Sequence, residues 1–95
     1  MRIISRKAIV EFSRKYPDAR NWLENWFAVV STVSWRSLMD VRRIYPHADA
    51  VGRRTVFNVS GNKYRLITRI NYQTQRVFIL FILTHAEYDR GKWKR

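Results

Sequence analysis

Apolar residues recur along this chain with two periods, and the change between them divides it into a helical half and a strand half. Met1 to Ile4 suits a short edge strand, after which Ser5 stands where a helix cap is expected. Ala8, Ile9, Phe12 and Tyr16 then fall on one side of a helix that carries Arg6, Lys7, Glu11, Arg14 and Lys15 elsewhere around it. Tyr16-Pro17-Asp18 ends that helix. A broader stripe follows, in which Ala19, Trp22, Leu23, Trp26, Phe27, Val30 and Val33 share one helical face, so the two Trp read as core anchors rather than base-stacking groups. Ser37 begins a third, short helix carrying Leu38, Val41 and Tyr45, and Pro46 ends it.

From Thr55 the period is two. Thr55 to Val59 is a strand, Ser60-Gly61-Asn62 a turn of residues that tolerate positive φ, Lys63 to Tyr72 a second strand, Gln73-Thr74-Gln75 a three-residue connection and Arg76 to Thr84 a third strand. The expected fold class is α+β, with two or three N-terminal helices on one side of a small antiparallel sheet. On the second strand Tyr64, Leu66, Thr68, Ile70 and Tyr72 suit the helix side. Lys63, Arg65, Arg69 and Asn71, with Ile67 among them, suit the other. Pairing Tyr72 with Arg76 sets Ile70 against Phe78, Leu66 against Ile82 and Lys63 against His85, so that core meets core.

Ninety-five residues suit a single domain over 1–95, which excludes most two-domain enzymes. With 46% hydrophobic and 15% aromatic residues the chain can build a core and is not a disordered tail. Nineteen Lys and Arg against seven Asp and Glu leave a net charge of +12, and fourteen of those cations are Arg, whose planar fork suits phosphate. A polyanion, nucleic acid before membrane or acidic protein, is the expected partner. There is no Cys, so no disulfide framework, thiolate metal site or Cys nucleophile. Neither a signal peptide nor a membrane-length apolar run is evident, and the expected location is the cytoplasm.

His85-Ala86-Glu87-Tyr88-Asp89 is where chemistry fits. Cleaving a phosphodiester through its own 2′-hydroxyl needs a base, an acid and positive charge for the phosphorane. Lys63, Arg65 and Arg69 supply charge, and His85 or Tyr88 proton transfer, with nearby cations disfavouring a second positive charge on the imidazole. The bland reading of the segment, a helix start with Thr84 as cap and Glu87 completing a capping box, is compatible with this. The bland reading of the basic strand face is a solvated surface, but such a face normally mixes Glu with Lys. His47, after Pro46, reads as a loop residue. No metal site is expected, because His85 and Glu87 lack a third ligand at a recognised spacing.

Val56-Phe57-Asn58, Gly61-Asn62-Lys63-Tyr64-Arg65-Leu66-Ile67 and Thr84-His85-Ala86-Glu87-Tyr88-Asp89, at these separations and with the upstream Tyr16-Pro17-Asp18-Ala19 and Trp-rich helix, resemble the HigB-type toxins of bacterial toxin–antitoxin systems. Ser60 stands where that family often has Gly. The resemblance implies a RelE-like fold with a curved antiparallel sheet, and an mRNA interferase, an endoribonuclease without cofactor or metal that usually cuts mRNA on the translating ribosome. It also implies neutralisation by a HigA-type helix-turn-helix antitoxin. The functional residues it points to are Lys63, Arg65, Asn71, Tyr72, His85, Glu87 and Tyr88. Arg65 is then expected to stabilise phosphate, His85 to transfer protons and Tyr88 to orient the nucleotide or share the proton, with Lys63 at the same site. Arg69, Asn71, Tyr72, Glu87, Lys92 and Lys94 are expected to hold RNA. Two other readings are a non-catalytic RNA- or ribosome-binding module and a gyrase-inhibiting toxin of the same superfamily.

Overall fold

The two periods of the sequence become two layers. The computed structural model describes residues 1–94, in the order β1 (Arg2–Ile4), α1 (Arg6–Lys15), a 3₁₀ turn (Pro17–Ala19), α2 (Arg20–Thr32), α3 (Leu38–Ile44), β2 (Asp49–Val51), β3 (Arg54–Val59), β4 (Tyr64–Asn71), β5 (Arg76–Thr84), α4 (His85–Arg90) and a second 3₁₀ turn (Lys92–Lys94). The fold is α+β, as expected. Pro17 sits at the start of the first 3₁₀ turn, where its missing N–H costs nothing. Ser5 and Ser37 occupy the N-cap positions of α1 and α3 without a side-chain capping bond, whereas Thr84 caps α4 fully.

The sheet order is β1-β5-β4-β3-β2. All neighbours are antiparallel except β1, which runs parallel to the first residues of β5, so the sheet is mixed rather than purely antiparallel. β2 is not foreshadowed in the sequence. It is three residues long, too short for an alternation to register, and pairs with β3 through a turn that uses the positive φ of Gly52.

Ile9, Leu23, Trp26 and Val30 from the helices interlock with Phe57, Val59, Leu66 and Val77 from the sheet. Trp26 is fully buried with its ring edge toward Phe57, as expected of a core anchor, and Trp22 is half-buried against Tyr45. The opposite sheet face is not simply open. A second, smaller cluster of Val56, Ile67 and Trp93, with Val51, Leu83 and Tyr88, covers part of it, because the chain after β5 folds back across the strands.

Register at the open end of the β4–β5 ribbon matches expectation, with Tyr64 opposite Thr84 and Leu66 opposite Ile82. Beyond an irregularity at Ile67/Thr68 it shifts by one, so Ile70 faces Val77 rather than Phe78, and Asn71 rather than Tyr72 faces Arg76. Leu80 is the extra residue of this bulge, which keeps Ile70 and Val77 together on the helix side. The connection accordingly has four residues, with Gln75 at φ 57° and the Asn71 Oδ1 accepting from the Thr74 amide.

Candidate functional site

Ser60 and Gly61 both adopt left-handed φ, 52° and 74°, and their turn delivers Asn62 beside the start of β4. Arg65 leaves that strand on the face away from the helices and is only 8% exposed. Its Nη1 donates to the carbonyls of Asn62 (3.2 Å) and Tyr64 (3.1 Å), and its Nη2 to Asn62 Oδ1 (2.6 Å). The guanidinium carbon lies 5.2 Å from the centre of the Tyr88 ring. Among the described residues no carboxylate pairs with it. A full positive charge is thus withdrawn from water and held by neutral acceptors and a π face, an arrangement that leaves it strongly attractive to an incoming anion.

Tyr88 comes from α4. That helix opens with a capping box in which the Glu87 amide donates to Thr84 Oγ1 and the Thr84 amide to Glu87 Oε1, and it closes on Gly91 at φ 72°. The bond from the Thr84 backbone, more than any other influence, holds the Glu87 carboxyl below its ordinary range. The box serves the bland reading of this segment without displacing its chemistry. The His85 amide donates to the Lys63 carbonyl at 3.0 Å, which places the end of β5 beside the start of β4 as the register required. His85 Nδ1 lies 2.9 Å from Asp89 Oδ2. A carboxylate only accepts, so Nδ1 carries the proton and Nε2 is left for a substrate. Both side chains are exposed to solvent.

Trp93 buttresses this arrangement. Its indole stacks on Tyr88 (4.9 Å between ring centres, 15° between planes), its Nε1 donates to the Tyr88 carbonyl, and it is buried against Val56 and Ile67. Arg54 donates to the Trp93 carbonyl from the sheet.

The remaining expected residues are distributed around this group. Lys63 is exposed, and its ammonium, instead of joining Arg65, turns toward the helical layer and lies 3.2 Å from Asp18 Oδ2. Tyr64 donates its hydroxyl to the other Asp18 oxygen at 2.6 Å, and Ser60 Oγ donates to the Asp18 carbonyl. Asp18 is held below its ordinary value, by the Tyr64 bond first and the Lys63 bond second, and the same contact pushes the Tyr64 phenol up to about 12. Arg69 is exposed on the Arg65 side of β4, opposite Phe78. Asn71 and Tyr72 lie at the far hairpin, where Tyr72 packs on the helical core and burial raises its phenol. Lys92 and Lys94 flank Trp93 and are exposed. The expectation of cations around the imidazole is corrected in one respect. The partner of its side chain is an acid, because four residues along α4 bring Asp89 to the same face. Among the described residues no three His, Asp or Glu side chains converge.

Sequence reasoning missed Asn62, Asp18, Asp89 and Trp93 as parts of this site. The His85/Asp89 spacing was the available signal for one of them. The other contacts depend on how distant segments pack.

A family model described as HigB_toxin, RelE-like toxic component of a toxin-antitoxin system, matches residues 19–91. The chain is similar to the mRNA interferase HigB of Escherichia coli O6:H1 (strain CFT073), 33% identical over 93 residues that cover 95% of this chain and 90% of that protein. It is also similar to the mRNA interferase toxin HigB of Escherichia coli K12 and the mRNA interferase HigB of Shigella flexneri, each 26% identical over 92 residues covering 94% of this chain and 88% of theirs.

Proposed function

The chain belongs to the HigB toxin family, the RelE-like toxic components of toxin–antitoxin systems, and from that premise we propose that it is an endoribonuclease that cleaves mRNA at the group formed by Arg65, His85 and Tyr88. The observation that carries this reading is the Arg65 guanidinium, buried without a carboxylate partner among the described residues and held against Tyr88, which shares its short helix with the His85–Asp89 pair.

The 2′-hydroxyl attacks the adjacent phosphorus and the bond to O5′ breaks, giving a 2′,3′-cyclic phosphate and a 5′-hydroxyl. One proton leaves the 2′-oxygen and one reaches O5′. His85, oriented through Nδ1 by Asp89, exchanges a proton at Nε2. Arg65 faces the extra charge of the phosphorane with donors fixed in advance by Asn62 and Tyr88, so little reorganisation accompanies the reaction. Tyr88, wedged in place by Trp93, orients the nucleotide. Lys63 adds charge at the edge of the same turn, while Arg69, Asn71, Tyr72, Glu87, Lys92 and Lys94 contact RNA beyond the cut. Cleavage takes place on the translating ribosome, in the cytoplasm, by one domain over 1–95, and a HigA-type helix-turn-helix antitoxin silences it. Among the described residues no helix is long and apolar enough to cross a membrane.

Expression without the antitoxin, followed by primer extension on translated mRNA, tests this. New 5′ ends and growth arrest are expected from the wild type and neither from Arg65→Ala. Arrest with intact mRNA and damaged DNA would instead mark a gyrase inhibitor, and RNA binding without any cut a non-catalytic module.

A further inference from the structure

β1 pairs with β5 only along Arg76–Phe78, so Ile79 to Thr84 form an open sheet edge. Between that edge and the C-terminal segment lies a cavity of about 220 Å³, lined by Phe81, Leu83, Glu87, Arg90, Lys92 and Trp93. Its walls are apolar, and its rim carries two cations, Arg90 and Lys92, beside the Glu87 carboxylate. Phe81 is 41% exposed in the middle of a strand, a position where an aromatic ring gains little from folding. Arg90 and Lys92 have no carboxylate within ion-pair distance among the described residues. Aromatic walls beside cations that make no close ion pair match the two halves of a nucleotide, base and phosphate. A dry cavity of roughly 150 Å³ admits benzene, so this one has room for a nucleobase.

We propose that this cavity is a subsite for one unpaired base of the RNA, with Phe81 as a stacking wall and Glu87 as the group that reads the base edge. It rests on the reading of the chain as an RNA-cutting enzyme. Trp93 lines the cavity and also stacks on Tyr88, so the subsite and the Arg65–Tyr88 contact belong to one surface that a single RNA strand spans. Arg90 and Lys92 take the neighbouring phosphates. Glu87 spends Oε1 on the Thr84 amide, and its other oxygen makes no hydrogen bond or close ion pair among the described residues, although Lys15 and Arg90 lie near enough to act on the carboxylate. A carboxylate can only accept a hydrogen bond, so the site favours a base with an exocyclic amino group, as adenine, cytosine and guanine have. Uracil, whose N3–H is flanked by two carbonyl oxygens, is disfavoured.

Binding of a short 2′-O-methyl RNA, with or without one abasic position scanned along it, tests the subsite without cleavage. Removing the base at one position is expected to weaken wild-type binding about tenfold. Phe81→Ala is expected to cause a similar loss that the abasic RNA does not deepen, and Phe81→Trp to retain binding. Glu87→Gln keeps the capping box, since Gln suits that position, and is expected to narrow the preference for adenine over uracil there. In maps of translated mRNA, Phe81→Ala should raise KM and alter the bases around the cuts. A folded Phe81→Ala protein that binds intact and abasic RNA as the wild type does, and cuts the same sites with the same KM, overturns the subsite alone. A wild type that cuts no RNA overturns the underlying reading, and the binding cycle still decides the subsite.

Discussion

As the proposed anion site, Arg65 depends on geometry that lysine cannot reproduce. Asn62 takes two of its donors and Tyr88 lies under its plane, so a point charge at this position would lose both the fork and the stacking. Arg65→Lys is expected to lower single-turnover cleavage by about two to three orders of magnitude, the usual effect of losing one fixed donor to a developing oxyanion, with the circular dichroism spectrum unchanged. The placing of Arg65 on the strand face away from the N-terminal helices was legible from alternation, and that of His85 and Tyr88 on one capped helix from the HAEYD segment. Asp18 was legible only as a helix breaker, because its bonds to Lys63 and Tyr64 span more than forty residues. Its carboxyl is depressed below 3.8 in the folded chain. The stabilisation is therefore complete above that value and is lost as pH falls through the lower folded value. Chemical denaturation of Asp18→Asn is expected to show a shallower loss of stability below about pH 4 than the wild type. Parallel curves for the two proteins would remove Asp18 from this role.

α4 is only six residues long and owes its place to its ends and to Trp93. Thr84→Ala removes the acceptor for the Glu87 amide and is expected to cost about 1 kcal/mol. Trp93→Ala opens the smaller core between Val56 and Ile67 and is expected to cost about 3 kcal/mol or more. Both are measured by urea denaturation, and Trp93→Ala should also lower cleavage, because Tyr88 loses the ring that holds it. The capping box could be read directly from Thr84 and Glu87, since it is a local pattern. Trp93 could not be placed in the same way, because nothing local says that the chain after Gly91 folds back on the sheet. The bulge at Leu80 escaped for a related reason. An apolar run from Val77 to Leu83 satisfies either register, and only the four-residue connection with Gln75 in the left-handed region decides it.

A charge of +12 on ninety-five residues acts on the molecule as a whole. Five of the seven acidic side chains are engaged in ion pairs with Lys or Arg, Asp89 holds the His85 ring, and Glu87 serves a cap. The acids that neutralise part of the helical layer leave Arg65, Arg69, Arg90, Lys92 and Lys94 without ion-pair partners among the described residues. RNA affinity is therefore expected to fall about tenfold or more between 50 and 200 mM salt, and the salt slope to lessen by about 0.7 for each phosphate contact removed, as by Arg69→Ala. The net charge pointed to a polyanionic partner from the sequence alone, but not to the path a proposed RNA strand would take, which depends on where α4 and Trp93 come to rest. The most direct measurement is the chemistry of the ends left on a ribosome-bound mRNA by the purified protein. A 5′-hydroxyl and a 2′,3′-cyclic phosphate are expected, and both should disappear with Arg65→Ala. Ends carrying a 5′-phosphate, or cutting undiminished by that substitution, would contradict a reaction driven by the RNA's own 2′-hydroxyl at Arg65.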